Sequence, residues 1–536
     1  MSSVPAPTKS GMPRAWLPSG VPEISPALAA FLALVIVSSG LLLVALGEPV
    51  LAAIPLLVCM AVLLFFTLPI RFPLFGIVFL AFFGDVAQLQ LPSGYEYTPV
   101  QFFLFPLMFE NLNKVLPVAA LRFSFVDVMY LSLAALLVAR AGFRIRVDSR
   151  GRLTGTTGLY VVMACMFLCV GWLTVRGVFL RGGDFKQTLW QFRQLIWIPG
   201  LVGLFSWAVR DARDFHTAIN VMTAAAIAKI TIGLHFYFTV ARPQSFEPVT
   251  LTSHYDSVLF TIVILSLVIR FLHAPSLRSG ALMASIGLYI LIGVVINNRR
   301  LAFVNILVSL FITVLIFRGP VKKAIIKLAV LSMPLVLAYV VVGQAGNSRV
   351  FKPAKLIMSV WSQNDRSSST RDIENFNLMV TIKGNKVLGS GFGHEYVEMV
   401  KADDISKAFP QYRYQAHNSV LWLWSIGGVV GFTLLWLPLS IGIFLARRAY
   451  VFVRTPEERM ASALCITIIV TYMMQAWGDL GTQGLTDSLA LTLALATSAK
   501  LAVGSGAFPS RVRWFARRRA LTPVTTTVGV MPSRHP

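Results

Sequence analysis

Long apolar runs, repeated along most of the chain, limit what it can fold into. A helix needs about 20 residues to cross roughly 30 Å of hydrocarbon. Runs near that size start around Leu28, Val50, Leu74, Phe123, Thr157, Trp190, Ala218, Asp256, Ala281, Leu301, Ala324, Val420, Ala461 and Leu489. Backbone amides in lipid must find partners inside the spanning structure, which leaves helices and closed barrels. Continuous runs of this length are helical. The chain is therefore expected to be an all-α polytopic membrane protein with about fourteen transmembrane helices, plus an interfacial helix at Thr98 to Phe109. A hydrophobic share of 56% against 13% charged, with mean hydropathy +0.72, rules out the mix of an ordinary soluble domain.

The formal net charge of +24 would suggest nucleic acid in a soluble chain. Here the Lys and Arg residues fall mostly in short loops between apolar runs, so they report topology, and no nucleic acid is expected. Loops with Arg140, Arg144 and Arg146, with Arg318, Lys322 and Lys323, and with Arg447, Arg448 and Arg454 fall on one side. Fourteen spans, an even number, would put these loops and both termini in the cytoplasm. Residues 1–25 form a disordered N-terminus, 26–504 the membrane domain and 505–536 a basic disordered tail. No cleavable leader is expected, because the first apolar run is of spanning length and lacks a small-residue cleavage site.

The same parity makes residues 343–417 a large external, periplasmic loop containing short helices. It is the only long polar passage in the membrane-embedded part. Ser369 or Thr370 is expected to cap a helix ending at Gly384. Asp372 and Glu374 would lie in its first turn, with an apolar stripe of Ile373, Phe376, Met379 and Val380. Gly389-Ser390-Gly391-Phe392-Gly393 lacks the Lys and Ser/Thr of a nucleotide loop and is expected to be a bend packed under the site. His417 precedes the next span, with Asn418 or Ser419 as its cap. A helix N-terminus disfavours the imidazolium, so the ring should be neutral and able to act as a general base. The bland alternative is a cap or a headgroup contact.

External short loops should be poor in arginine, yet Arg193, Arg299 and Arg300 lie there. Asn297-Asn298-Arg299-Arg300 is a tight turn, and two guanidiniums fixed at a membrane surface suit the bidentate geometry of phosphate. Snorkelling to lipid headgroups is the competing reading. Asp127 and Lys229 are ionisable residues within spans and could pair with each other or form a proton path. The cysteines sit in apolar runs, and His254 with Asp256 lacks a third ligand, so neither a disulfide framework nor a metal site is expected.

The order of these features resembles the O-antigen ligase and polymerase superfamily of bacterial membrane glycosyltransferases. The matching pieces are the Arg299-Arg300 turn, the long loop from Arg371, the Leu388-Gly389-Ser390-Gly391 turn, and His417-Asn418-Ser419 opening a span with Gly427-Gly428. Arg300 is the better match to the family's arginine, although Asn297-Asn298 replaces its usual Ser-rich turn. The resemblance implies a C-type glycosyltransferase membrane fold and inverting, metal-independent transfer from undecaprenyl-pyrophosphate-linked oligosaccharides, with no cofactor. On that basis His417 is the expected base, Arg371, Arg300, Arg299 and Arg193 bind the pyrophosphate, and Asn418 supports them. A polysaccharide polymerase is expected, working with membrane lipids, a flippase and a chain-length regulator. Ligation of finished glycan, protein O-oligosaccharide transfer and membrane transport are the alternatives.

Overall fold

A computed structural model describes residues 68–85, 124–142, 155–316, 320–345, 366–401 and 411–512, apart from a few interior positions. It also describes isolated positions at 33–41, 351–355, 404 and 406. The expected second span, most of the first, the interfacial helix, His254 and both termini lie outside these residues.

The described residues form a helical assembly, as the apolar runs require. Its first helices are α1 (Arg71–Gly84), α2 (Phe125–Gly142), α3 (Thr157–Thr174), α4 (Phe185–Ala208) and α5 (Ala212–Phe236). Then come α6 (Asp256–His273), α7 (Leu277–Asn297), α8 (Arg300–Ile316) and α9 (Pro320–Ala345). The loop helix α10 (Arg366–Gly384) precedes α11 (Ser419–Phe452), α12 (Pro456–Gly478) and α13 (Leu485–Gly504). The protein is an all-α polytopic membrane protein.

Among the described residues, six helices are long and apolar enough to cross a membrane by length and composition alone. Helix α13 is not one of them, and its position explains why. It packs against α4, α11 and α12, and Thr486, Ser488, Thr492, Thr497, Ser498 and Lys500 along it are all buried. A helix walled off by other helices does not meet lipid, so its hydroxyls can bond back to its own carbonyls, as Ser488 and Ser498 do.

Helix α10 departs from expectation in two ways. It begins at Arg366, so no acidic residue occupies its first turn. Its apolar stripe also faces away from the protein: Phe376 is 52% and Met379 41% exposed, whereas Glu374, Asn377 and Thr381 are buried. The inward face is mixed, since Leu378 and Ile382 are buried on it as well, and its polar residues serve segment 397–400. The Asn377 side chain accepts from Met399 N and Val400 N and donates to Val400 O, while Thr381 Oγ accepts from Val397 N.

The glycine turn is a bend built into α11. Gly428 adopts φ 59° and ψ −166° inside α11 and breaks it. Segment 386–391 fills the break: Val429 N donates to Lys386 O, Ser390 N to Ser425 O and Gly391 N to Ile426 O. A Cβ at Gly389 would fall 2.1 Å from Ile426 O, and one at Gly428 would fall 2.3 Å from Val387 O. Only glycine permits that approach. The amides of Ser390 and Gly391 are therefore bonded to α11 and do not cradle an anion.

Candidate active site

One end of the bundle collects the start of α10, the start of α11, the end of α12 and the α7–α8 turn. Asn418 caps α11 by accepting from Leu421 N at 3.1 Å, which places His417 just ahead of the helix. The His417 amide donates to Glu374 Oε2 at 3.1 Å, and its Nδ1 lies 3.2 and 3.4 Å from the two Glu374 oxygens. Glu374 is nearly sealed, its side chain 5% exposed, whereas the imidazole is 26% exposed.

A carboxylate on Nδ1 fixes the tautomer, because the neutral ring must carry its proton where the acceptor is. Nε2 is left as the basic nitrogen, and it makes no hydrogen bond within the described residues. Burial lowers the pKa of His417, but the Glu374 hydrogen bond and charge, with Asp479 behind them, raise it. Arg371 opposes that rise, and the net shift is upward from 6.5. The helix N-terminus alone would favour a neutral ring; the buried carboxylate outweighs it. The result is a stronger base than an isolated imidazole.

Arg371 lies one helical turn before Glu374, so both project from the same side of α10. Its Nη1 donates to Gly478 O at 2.8 Å, and so a cation meets the unsatisfied carbonyl end of α12. Ser419 Oγ reaches Asp479 O at 3.5 Å, tying α11 to the same corner. Arg299 completes the cluster. Burial lowers its pKa, the charge of Asp479 raises it and that of Arg371 lowers it, with a downward net effect. His417, Glu374, Arg371, Arg299 and Asp479 thus share one electrostatic neighbourhood.

The turn that carries Arg299 is held from below. Asn298 takes the left-handed conformation, φ 56°, which asparagine tolerates well. Buried Asn297 donates to Thr252 Oγ at 2.8 Å and to Ser253 O at 2.7 Å. Ser253 N in turn donates to Asp256 Oδ2 at 2.7 Å. Asp256 is ion-paired with Lys229, both side chains 2% exposed. Arg300 opens α8 directly after Arg299.

One expectation about charge pairing is corrected here. Asp127 and Lys229 do not pair with each other: Lys229 meets Asp256, and Asp127 meets Arg193. Arg193 also donates to Ser124 Oγ at 2.8 Å. The Asp127 carboxylate neutralises its charge between α4 and α2, which weakens it as a phosphate ligand. The reason is local, since Asp127 lies in the first turn of α2 and needs a cation to be stable in a buried setting.

Glu374, Asp479 and Gln191 went unassigned in the sequence. Glu374 could have been found from its one-turn spacing to Arg371, and Asp479 from the side of the membrane on which its short loop falls. Nothing in the sequence marks Gln191, a buried residue whose amide donates to Tyr414 O and accepts from Gly393 N. It clamps the glycine bend to the segment that leads into His417.

Residues 285–436 match the family described as O-antigen ligase. The chain carries a domain of the O-antigen ligase/polymerase superfamily. The O-antigen ligase region runs from within α7 to just past the break in α11, so it contains Arg299, Arg300, Arg371, Glu374 and His417. Asp479 and Gln191 lie outside it and reach the site through packing. The superfamily supports a membrane enzyme of the glycosyltransferase type, acting on lipid-linked oligosaccharides. A search of curated proteins gave no match.

Proposed function

We propose that this protein is a polysaccharide polymerase that joins undecaprenyl-pyrophosphate-linked repeat units at the periplasmic face, by direct displacement at the anomeric carbon. An acceptor hydroxyl gives its proton to Nε2 of His417 as its oxygen attacks that carbon. The bond from the anomeric carbon to the pyrophosphate oxygen breaks, and its electron pair leaves with the pyrophosphate. A single displacement inverts the anomeric centre. Arg371 and Arg299, with Arg300 beside them, stabilise the charge that develops on the leaving group, work well suited to preorganised guanidiniums. Glu374 holds the ring and stabilises the imidazolium that forms. Asn418 fixes the start of α11 and with it His417, while Arg193 has no part in the clamp.

The observation that carries this reading is the meeting of His417, Glu374 and Arg371 at one corner of the bundle. Purified full-length protein given undecaprenyl-pyrophosphate-linked repeat units should yield a ladder of longer lipid-linked products, and His417→Ala should abolish it. An undiminished ladder from His417→Ala would remove the base assignment. In a second reading, the same groups transfer finished glycan to a lipid A core acceptor. Product on that acceptor without a ladder would establish ligation instead.

A further inference from the structure

The opposite end of the bundle holds a second site that the transfer chemistry does not use. A cavity of about 440 Å³ opens where the starts of α5, α7 and α12 meet the end of α6. Arg213, Arg270 and Arg278 line it, together with His216, Ser276 and Ser279, and Glu457 is the only carboxylate among its lining residues. Glu457 pairs with Arg213 at 3.4 Å, and both side chains are more than half exposed. Arg270 makes a long bond to His216 O at 3.5 Å. Arg278 has no hydrogen bond or ion pair within the described residues. Three guanidiniums against one carboxylate leave a concave positive surface, and the start of α7 adds its dipole to it.

An apolar groove lies further along the same two helices, α6 and α7. Between α6 and α7 lies a channel of about 390 Å³, lined by Ile264, Leu267, Val268, Met283, Leu288 and Leu291, with Gly287 as its floor. Leu282, at the rim of the basic cavity, adjoins Met283 in the groove. From Met283 to Leu291 the groove follows α7 for about 12 Å at the helical rise. Leu288 is 64% and Leu291 45% exposed, so the groove lies open on the outer face of the helices. A soluble phosphate would use the arginines and leave the groove empty. A lipid carrying a phosphate uses both.

We propose that this head-and-tail cavity binds an anionic phospholipid from the leaflet at that end. Its phosphate sits among Arg213, Arg270 and Arg278, and one acyl chain lies in the α6–α7 groove. Guanidiniums pair bidentately with phosphate oxygens, and basic pockets between membrane helices are a known setting for anionic headgroups. The site is separate from the pyrophosphate clamp, because it lies at the other ends of α6, α7 and α12.

The test uses the full-length protein in a mild detergent, with bound lipid counted by native mass spectrometry. Phosphatidylglycerol and phosphatidylcholine of equal chain length are the probes. Wild type should retain one phosphatidylglycerol in preference to phosphatidylcholine. The double variant Arg213→Gln/Arg278→Gln alters exposed side chains, so it should fold, and the preference should fall by roughly tenfold or more. Gly287→Leu, or independently Leu291→Trp, fills the groove and should weaken long-chain phosphatidylglycerol while leaving a dihexanoyl form unaffected. Three results would each overturn the proposal: no preference in wild type, a preference unchanged in the double variant, or inorganic phosphate displacing the lipid regardless of chain length.

Discussion

Two charge pairs near the same end of the bundle are built differently. Lys229 and Asp256 are sealed, each side chain 2% exposed, and the second Asp256 oxygen is taken by Ser253 N. Glu374 and His417 are asymmetric: the carboxylate is sealed and the imidazole is 26% exposed. A sealed pair has no free valence to offer a substrate, and its effect is to hold the strap that fixes the α7–α8 turn. An asymmetric pair keeps one nitrogen free while the buried partner sets its tautomer and basicity. Burial of both partners marks a strut, and burial of one marks a working group.

Removing the open group should have the largest effect. His417→Ala is expected to lower the transfer rate by about 10² to 10⁴, the usual worth of general-base catalysis, with a smaller drop in thermal melting than Lys229→Met, because the backbone amide at 417 still donates to Glu374. Removing one sealed partner should do the reverse. Lys229→Met leaves Asp256 uncompensated, which typically costs about 3–5 kcal/mol. Thermal melting should fall sharply, while turnover per folded molecule changes little. If Lys229→Met folded normally and lost turnover, the assigned roles would be exchanged.

Smaller effects sharpen the contrast. Arg371→Lys keeps a cation but loses the planar fork that meets Gly478 O, so turnover is expected to fall roughly tenfold to a hundredfold. The product ladder at saturating donor measures it. Asp127→Asn should mainly lower stability, because it leaves Arg193 without its carboxylate, and turnover per folded molecule should stay within a fewfold of wild type. A collapse of turnover there, with stability intact, would return Arg193 to the site.

The most apolar spans were legible as long runs, and the starts expected near Thr157, Asp256 and Val420 match α3, α6 and α11 within about two residues. His417, Arg371 and Arg299 were legible because polar residues at a membrane surface stand out against such runs. Pairing was not. The partners of Asp127 and Lys229 depend on which helices touch, and Gln191 acts on Tyr414 and Gly393 more than 200 positions away. The outward stripe of α10 misled for a related reason. In a soluble protein an apolar stripe points inward; beside a membrane it can face lipid, and the polar face then turns to the site.

The raised pKa of His417 gives the account its sign in pH. The base works only when deprotonated, so activity should fall as pH drops through the folded-state value, which lies above the ordinary value of about 6.5. The pair's contribution to folding runs the other way. It is fully present below the unfolded value and is lost as pH rises through the folded one.

The most direct measurement is the pH dependence of transfer by wild type and by Glu374→Gln, made on the same lipid-linked donor. Glutamine removes the charge that lifts the imidazole, so the acidic fall in rate should move to lower pH, with a reduced maximum. Superimposable pH profiles for the two proteins would contradict the claim that Glu374 makes His417 the base.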